Sequence, residues 1–221
     1  AVEERLFRLE AEGKTAVVLA TTTEPLAVLA VADAIRESSV QAIRELNAMG
    51  IRTLMLSGDN QQTASTIAAQ VGITDARGNL LPEDKLKVVS ELQAAGEVVG
   101  MVGDGVNDAP ALAKSFIGFA MGAAGTDTAL ETADVALMKD DLRKLPAFIS
   151  LSRQASRVLW QNITVALGIK AVFFGLALAG MATLWMAVFA DVGASLIVVF
   201  NGLRLLRSGN GMKQQEAGDA P

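Results

Sequence analysis

Cysteine and histidine are both absent from the 221-residue chain. The first absence removes disulfides, thiolate metal sites and cysteine nucleophiles. The second removes an imidazole base and histidine-rich metal sites. Proton or metal chemistry must therefore run on Asp, Glu, Asn, Ser, Thr and Lys. No long basic run is present and the net charge is −5, which argues against nucleic acid as a partner. The N-terminus, Ala1-Val2-Glu3-Glu4-Arg5, is charged and lacks the apolar stretch of a signal peptide. It also begins without Met, as an excised piece would.

Charge is missing most conspicuously from one stretch. Between Ile163 and Phe200 only Lys170 and Asp191 are charged, and this segment raises the mean hydropathy of the chain to +0.38. Before Trp160 the charge density is that of an ordinary soluble domain. Ile163 to about Ala179 and Leu184 to about Leu206 are each close to the roughly 20 residues that span a bilayer, with Gly180–Thr183 as a tight turn. Arg153 and Arg157 precede the first span and Arg204 and Arg207 close the second, which predicts both ends on the cytoplasmic side. A buried helical hairpin in a soluble core is the alternative, and the length of the apolar run disfavours it. Ser208–Pro221 is polar and Gly-rich and predicts a disordered tail.

The first 140 residues alternate in period. Residues 3–12 suit a helix, and Thr15–Ala20 and Leu26–Ala32 suit strands joined by the turn Thr22-Thr23-Glu24-Pro25. Ser39–Met49 has a helical stripe of Val40, Ile43 and Leu46, with Gly50 as its C-cap. Ile51–Leu56 reads as a strand, followed by a helix to Val71. Glu83–Ala95 reads as a helix, Val98–Val102 as a strand, Ala109–Ala113 as a helix start and Ile117–Met121 as a strand. A short helix over Thr126–Ala133 and a strand over Val135–Met138 follow. Such alternation predicts a parallel α/β sheet covered on both faces, whose site lies beyond the C-terminal ends of the strands. Two polar loops stand at such ends, Ser57-Gly58-Asp59-Asn60 and Gly103-Asp104-Gly105-Val106-Asn107-Asp108.

In the second loop, two carboxylates four residues apart can hold a hard cation such as Mg²⁺. Its glycines let backbone approach a phosphoryl group. Composition alone leaves open a plain Asp/Gly turn with a helix cap. In the first loop Ser57 can donate to a phosphate oxygen, although Ser-Gly-Asp is also a common turn. Lys85 follows Pro82 at a helix start, where a solvated surface lysine is the ordinary reading. Asp33-Ala34-Ile35-Arg36 can serve as a helix cap. Lys170 and Asp191 are costly inside a membrane. They suit either an ion pair between helices or a metal ligand with its counter-charge.

The full string from Met101 to Leu112, MVGDGVNDAPAL, is similar to the hinge motif of P-type ATPases. Leu56-Ser57-Gly58-Asp59 resembles the same family's TGD motif with Ser for Thr, and Pro82-Glu83-Asp84-Lys85 resembles its Pro-x-x-Lys. Ser57, Lys85, Asp104 and Asp108 also follow the motif order of the wider haloacid-dehalogenase-like superfamily. The resemblance covers about Thr15 to Arg207. It implies a haloacid-dehalogenase-like (Rossmann-like) domain followed by a two-helix transmembrane hairpin. By that resemblance, residues 1–32 form the tail of a nucleotide-binding domain and the approach to the phosphorylation domain. Residues 33–150 form the C-terminal portion of the phosphorylation domain, 151–207 the last two transmembrane helices, and 208–221 a disordered tail.

The resemblance also implies roles for particular residues. Asp104 and Asp108 would hold Mg²⁺. Ser57, Gly58, Asp59, Lys85 and Asn107 would handle the phosphoryl group, and Asp33, Arg36, Gly103 and Gly105 would lie near ATP. Asp191, with Lys170 as counter-charge, would serve the transported ion. Asn162…Lys170 with Asp191-Val192-Gly193 resembles the zinc/cadmium/lead subgroup, and the copper subgroup's Tyr-Asn and Met-x-x-Ser patterns are absent. A carboxylate also suits a divalent ion better than Cu(I). Asn201-Gly202-Leu203-Arg204-Leu205 resembles an ending found across heavy-metal pumps. The family's DKTGT nucleophile motif, its histidine-bearing adenine-contact motif and its Cys-Pro-Cys membrane site do not occur in the chain. The implied partners are therefore the bilayer, a divalent metal ion and the N-terminal part of the same pump, at the cell membrane with the soluble domain cytoplasmic. A membrane-tethered phosphohydrolase of the same superfamily is the rival, and it would need its own Asp-x-Asp-x-Thr nucleophile.

Overall fold

The computed structural model describes residues 2–12, 14–31, 34–105, 107–121, 131–137 and 140–218, with backbone alone beyond residue 205. Asp33, most of the predicted Thr126–Ala133 helix and the end of the Val135–Met138 strand lie outside the described residues. The chain divides into two compact units, Ala1–Pro146 and Ala147–Pro221.

The first unit opens with α1 (Val2–Ala11), then β1 (Thr15–Ala20) and β2 (Pro25–Val31). β1 and β2 pair antiparallel, with Val17 opposite Leu29 and Leu19 opposite Ala27. α2 (Glu37–Ala48) buries Leu46 of the predicted stripe together with Ala42, while Val40 and Ile43 are half-buried, and Gly50 closes it in the left-handed region at φ 74°. β3 (Leu54–Leu56) leads through α3 (Gln61–Val71) to β4 (Asp75–Arg77), and β3 and β4 pair parallel. α3 starts at Asn60, whose side-chain oxygen accepts from the Thr63 amide at 2.8 Å. α4 (Pro82–Ala94) starts on Pro82, and Asp84 reaches back to accept from the Leu81 amide at 3.0 Å.

β5 (Gly100–Gly103), α5 (Ala109–Lys114), β6 (Ile117–Ala120) and β7 (Val135–Ala136) complete the unit, with strand order β5-β6-β7, all parallel. Val89 of α4, Met101 of β5 and Ala111 and Leu112 of α5 form one buried cluster. Each such large side chain removed from water contributes about 1.5–3 kcal/mol. That burial holds α4 and α5 against β5 and so places the loops at its end. The expectation of one parallel sheet is met in strand direction and connection but not in continuity. The parallel strands form two ladders, so among the described residues β3 pairs with β4 alone and β5 with β6 alone.

The second unit holds most of α6 (Lys144–Leu178) and all of α7 (Leu184–Gly218). Both contain stretches long and apolar enough to cross a membrane, over Lys144–Leu178 and Leu184–Leu205. No residue in the most apolar stretch of α6 is buried, unlike the core helix of a soluble protein. Gly180 at φ 71° ends α6, with the Met181 amide donating to Leu176 O at 2.9 Å. The backbone is helical to Gly218, where composition predicts a disordered tail. Extending a formed helix needs no new nucleus, and Lys213, Gln214, Gln215 and Glu216 are good helix formers.

Candidate functional site

The loops at the ends of β3 and β5 gather most of the predicted residues. At the end of β3 the Ser57 hydroxyl donates to Asp59 Oδ2 at 2.8 Å and accepts from the Asp59 amide at 3.1 Å. The backbone of this loop is tied to residues 77–80. Ser57 N donates to Arg77 O at 2.9 Å, Asn79 N to Asp59 O at 2.6 Å and Leu80 N to Ser57 O at 3.1 Å. Asn79 makes this possible by adopting φ 55°, a left-handed conformation that asparagine tolerates. The strand that leads into this loop, β4, gives no apolar alternation in Asp75-Ala76-Arg77 and is missing from the sequence reading. The Gly78-Asn79 dipeptide was the available turn signal.

Gln61, also unrecognised from sequence, fastens the same loop to α3. Its amide donates to Ala76 O at 2.9 Å and accepts from Gly78 N at 2.7 Å. Gly78 is required here by close approach. A Cβ at this position would stand 2.6 Å from Gln61 Cα and 2.7 Å from Gln61 N. The result is a braced connection from Ser57-Gly58-Asp59 to the first turn of α4, which carries Lys85.

Lys85 is not the solvated surface lysine that its sequence context suggests. Its ammonium donates to Asp108 Oδ1 at 2.6 Å, and only 13% and 14% of the two side chains are exposed. At that depth an ion pair is largely stripped of water and costs more to break than a surface pair. Asp108 reaches Lys85 by folding back against the end of β5. A Cβ on Gly103 would lie 2.8 Å from Asp108 Oδ2 and 2.9 Å from Asp108 Cβ. Gly105 turns the loop at φ 75°, while Asp104 and Asn107 remain exposed beyond the strand end.

Asp104 suits a small hard cation, which needs only one or two protein carboxylates beside water and phosphate oxygens. Asp108 is committed to Lys85, so it fits less well as a free ligand. Among the described residues no cluster of three acidic side chains forms a complete cage. Arg36 stands at the N-cap of α2 without a capping bond and donates to Asp140 O at 3.4 Å. Asp141 forms a bidentate pair with Arg143, whose hydrogen bonds hold its carboxyl below the usual aspartate range.

In the second unit Lys170 and Asp191 are both exposed, and no ion pair joins them among the described residues. The ion-pair alternative is therefore not realised. A shallow cleft lined by Arg157, Trp160, Gln161, Thr164 and Val165 lies on α6, in a different unit from the polar loops.

A strand-end Ser-Gly-Asp loop, a lysine on the helix that follows and an Asp-Gly-x-Asn-Asp loop on a parallel strand define a class. Residues 1–115 match the family model described as haloacid dehalogenase-like hydrolase. The chain belongs to that family. More particular relatives are metal-transporting ATPases. The chain is 52% identical over 207 residues to a probable cadmium-transporting ATPase of Alkalihalophilus pseudofirmus, covering 93% of this chain and 29% of that protein. It is 47% identical over 199 residues to a zinc/cadmium/lead-transporting P-type ATPase of Escherichia coli, covering 90% and 27%. It superposes on a zinc-transporting PIB-type ATPase crystallised in the E2.Pi state with a TM-score of 0.81 and 45% identity, covering 93% and 34%. The chain thus spans about three tenths of the length of these relatives.

Proposed function

We propose that this chain is the C-terminal portion of an ATP-driven efflux pump for a divalent heavy metal of the zinc, cadmium and lead group. The observation that carries the reading is the joint presence of the braced Ser57–Lys85–Asp108 site and two apolar helices bearing Lys170 and Asp191. Supporting it, relatives at about half identity over nine tenths of this chain are named for cadmium and zinc transport. The domain limits given above follow from the same reading, as does a location in the cell membrane with residues before about 150 in the cytoplasm.

In this proposal an upstream segment supplies the Asp nucleophile and the nucleotide-binding part, and the open edges of β3 and β5 are where its strand would pair. ATP is the phosphoryl donor. Mg²⁺, held by Asp104, would neutralise the phosphoryl oxygens. The Ser57 hydroxyl would exchange its bond to Asp59 for one to a phosphoryl oxygen. Lys85 would stay compensated by Asp108 until a phosphoryl group arrives, and would then place its charge on the transferring group. Gly103 would keep Asp108 close enough to take Lys85 back. Asn107 and Gly105 would shape the loop around Asp104, and Asp33 and Arg36 would line the approach from the nucleotide. Asp191 would present a carboxylate to the transported ion, and Lys170 would balance it once the ion has left.

The test is phosphorylation of the full-length protein by radiolabelled ATP at several zinc, cadmium and Cu(I) concentrations. Divalent-metal-dependent labelling is expected, and Asp104→Asn should abolish it. Unchanged labelling in Asp104→Asn would remove Asp104 from the Mg²⁺ site. Labelling driven by Cu(I) alone would replace the divalent reading with a copper pump. Mg²⁺-dependent hydrolysis of an aryl phosphate by the 221-residue chain alone would favour the phosphohydrolase.

A further inference from the structure

Four polar side chains join α6 to α7 near the end of the hairpin that lies away from the turn. The Arg204 guanidinium donates to Asn201 Oδ1 at 3.0 Å. The Asn201 amide donates to Asn162 Oδ1 at 2.8 Å and approaches Gln161 Oε1 at 3.4 Å. The Asn162 amide in turn donates to the Val198 carbonyl at 3.4 Å. The direction of this chain is set by chemistry. A guanidinium can only donate, so Asn201 must turn its oxygen to Arg204 and its NH₂ across to Asn162. Asn162 must then accept from Asn201, and its own NH₂ is left for the backbone of α7. Both amides are satisfied on both sides in one register. A slip by one helical turn, about 5.4 Å, would leave them unpaired in an apolar setting.

We infer that this amide clasp sets the register of the two membrane helices, and that Asn162 and Asn201 are positioning residues for Lys170 and Asp191. The inference rests on the proposed pump reading for its second half. Lys170 lies eight residues along α6 from Asn162, and Asp191 lies ten residues along α7 from Asn201. At 1.5 Å per residue these are about 12 Å and about 15 Å from the clasp. The two charges therefore stand at nearly the same depth only while the clasp holds. The pair itself makes no bond that could set this alignment.

Donor order yields an asymmetric test. Asn201→Asp is isosteric and still accepts from Arg204, but it cannot donate to Asn162 and breaks the clasp. Asn162→Asp is also isosteric and still accepts from Asn201, so it keeps the short bond and loses only the long one. The chain has no native cysteine. Leu159→Cys and Leu184→Cys, 59% and 80% exposed, can each carry a nitroxide label on the 221-residue chain in lipid nanodiscs. Electron–electron double resonance then reads their separation, which helical rise puts at roughly 30 Å along the axis. Asn201→Asp should shift that distance by about 5 Å or at least double its width, and Asn162→Asp should leave it in place. An unchanged distance in Asn201→Asp, or equal broadening in both variants, overturns the clasp. Should Asn201→Asp lose helicity by circular dichroism, the near-isosteric Asn201→Leu replaces it with the same expectation.

In the full-length protein, Asn201→Asp should raise the zinc concentration for half-maximal ATP turnover about fivefold or more, with kcat altered less than twofold. A zinc effect in Asn162→Asp with the label distance unchanged would make Asn162 a ligand and overturn its positioning role. A shifted distance without a zinc effect overturns the link to Lys170 and Asp191. Failure of the pump reading itself is separately visible as the absence of metal-stimulated turnover in the unaltered protein.

Discussion

Gly103→Ala tests the linkage between the β5 loop and Lys85. The added methyl would stand 2.8 Å from Asp108 Oδ2, 2.9 Å from its Cβ and 3.3 Å from its Cγ. Because Asp108 Cβ is fixed by the start of α5, the side chain cannot clear the methyl by rotation alone. The loop must shift, and the 2.6 Å contact to Lys85 is lost or lengthened. Overpacking of this kind costs about 1–3 kcal/mol, and a charge-assisted hydrogen bond contributes about 1.5–3 kcal/mol. The two do not add, since moving Asp108 relieves the first by giving up the second. We expect a net loss of about 2 kcal/mol in local stability, equivalent to about thirtyfold faster amide exchange. Hydrogen exchange with mass spectrometry on residues 100–114 reads this directly, and it is preferable to tryptophan fluorescence because Trp160 and Trp185 both lie in the other unit. In an Asp108→Gly background all three contacting atoms are gone, and the same substitution should cost under about 0.5 kcal/mol. Exchange within twofold of the unaltered chain, or a penalty that persists in the Asp108→Gly background, would refute the reasoning.

Two further outcomes are expected. Gly78→Ala places a methyl 2.6–2.8 Å from the backbone of Asn60 and Gln61, so it should destabilise the first unit by more than about 1 kcal/mol, lowering its thermal midpoint, whereas Gly168→Ala, which meets nothing within 4 Å, should not. Asp141 is held below its ordinary pKa chiefly by hydrogen bonds from Arg143; its contribution is therefore present above the unfolded-state value and lost as pH falls through the lower folded one. Urea midpoints should converge between the original chain and Asp141→Asn as pH is lowered through that window, and a constant difference down to the acid limit would count against the pair.

Several elements were legible because local chemistry specifies them. Gly50 and Gly180 announced helix ends, since a left-handed residue there favours glycine. The apolar run after Ile163 announced two helices long and apolar enough to cross a membrane. The two polar loops were placed at strand ends by the change of period alone. β4 was not legible, because Asp75-Ala76-Arg77 is three residues long and held in place by β3 and Gln61 rather than by any apolar pattern of its own. The tail beyond Ser208 was misjudged for the opposite reason: composition describes how a segment would begin a helix, whereas this one only continues α7.

The sequence by itself determined the types of chemistry available, their order along the chain and the solvent each half requires. Absence of cysteine and histidine, the MVGDGVNDAPAL string and the near-uncharged 38 residues from Ile163 to Phe200 are all properties of composition and spacing. Tertiary structure decided which of those groups meet. Lys85 and Asp108 are 23 positions apart and become partners only because α4 and α5 pack on β5 around Val89, Met101 and Leu112. Asn162 and Asn201, 39 positions apart, meet across the hairpin, while Lys170 and Asp191 are left exposed. Pairings across such separations depend on packing and loop closure, which a linear pattern does not encode.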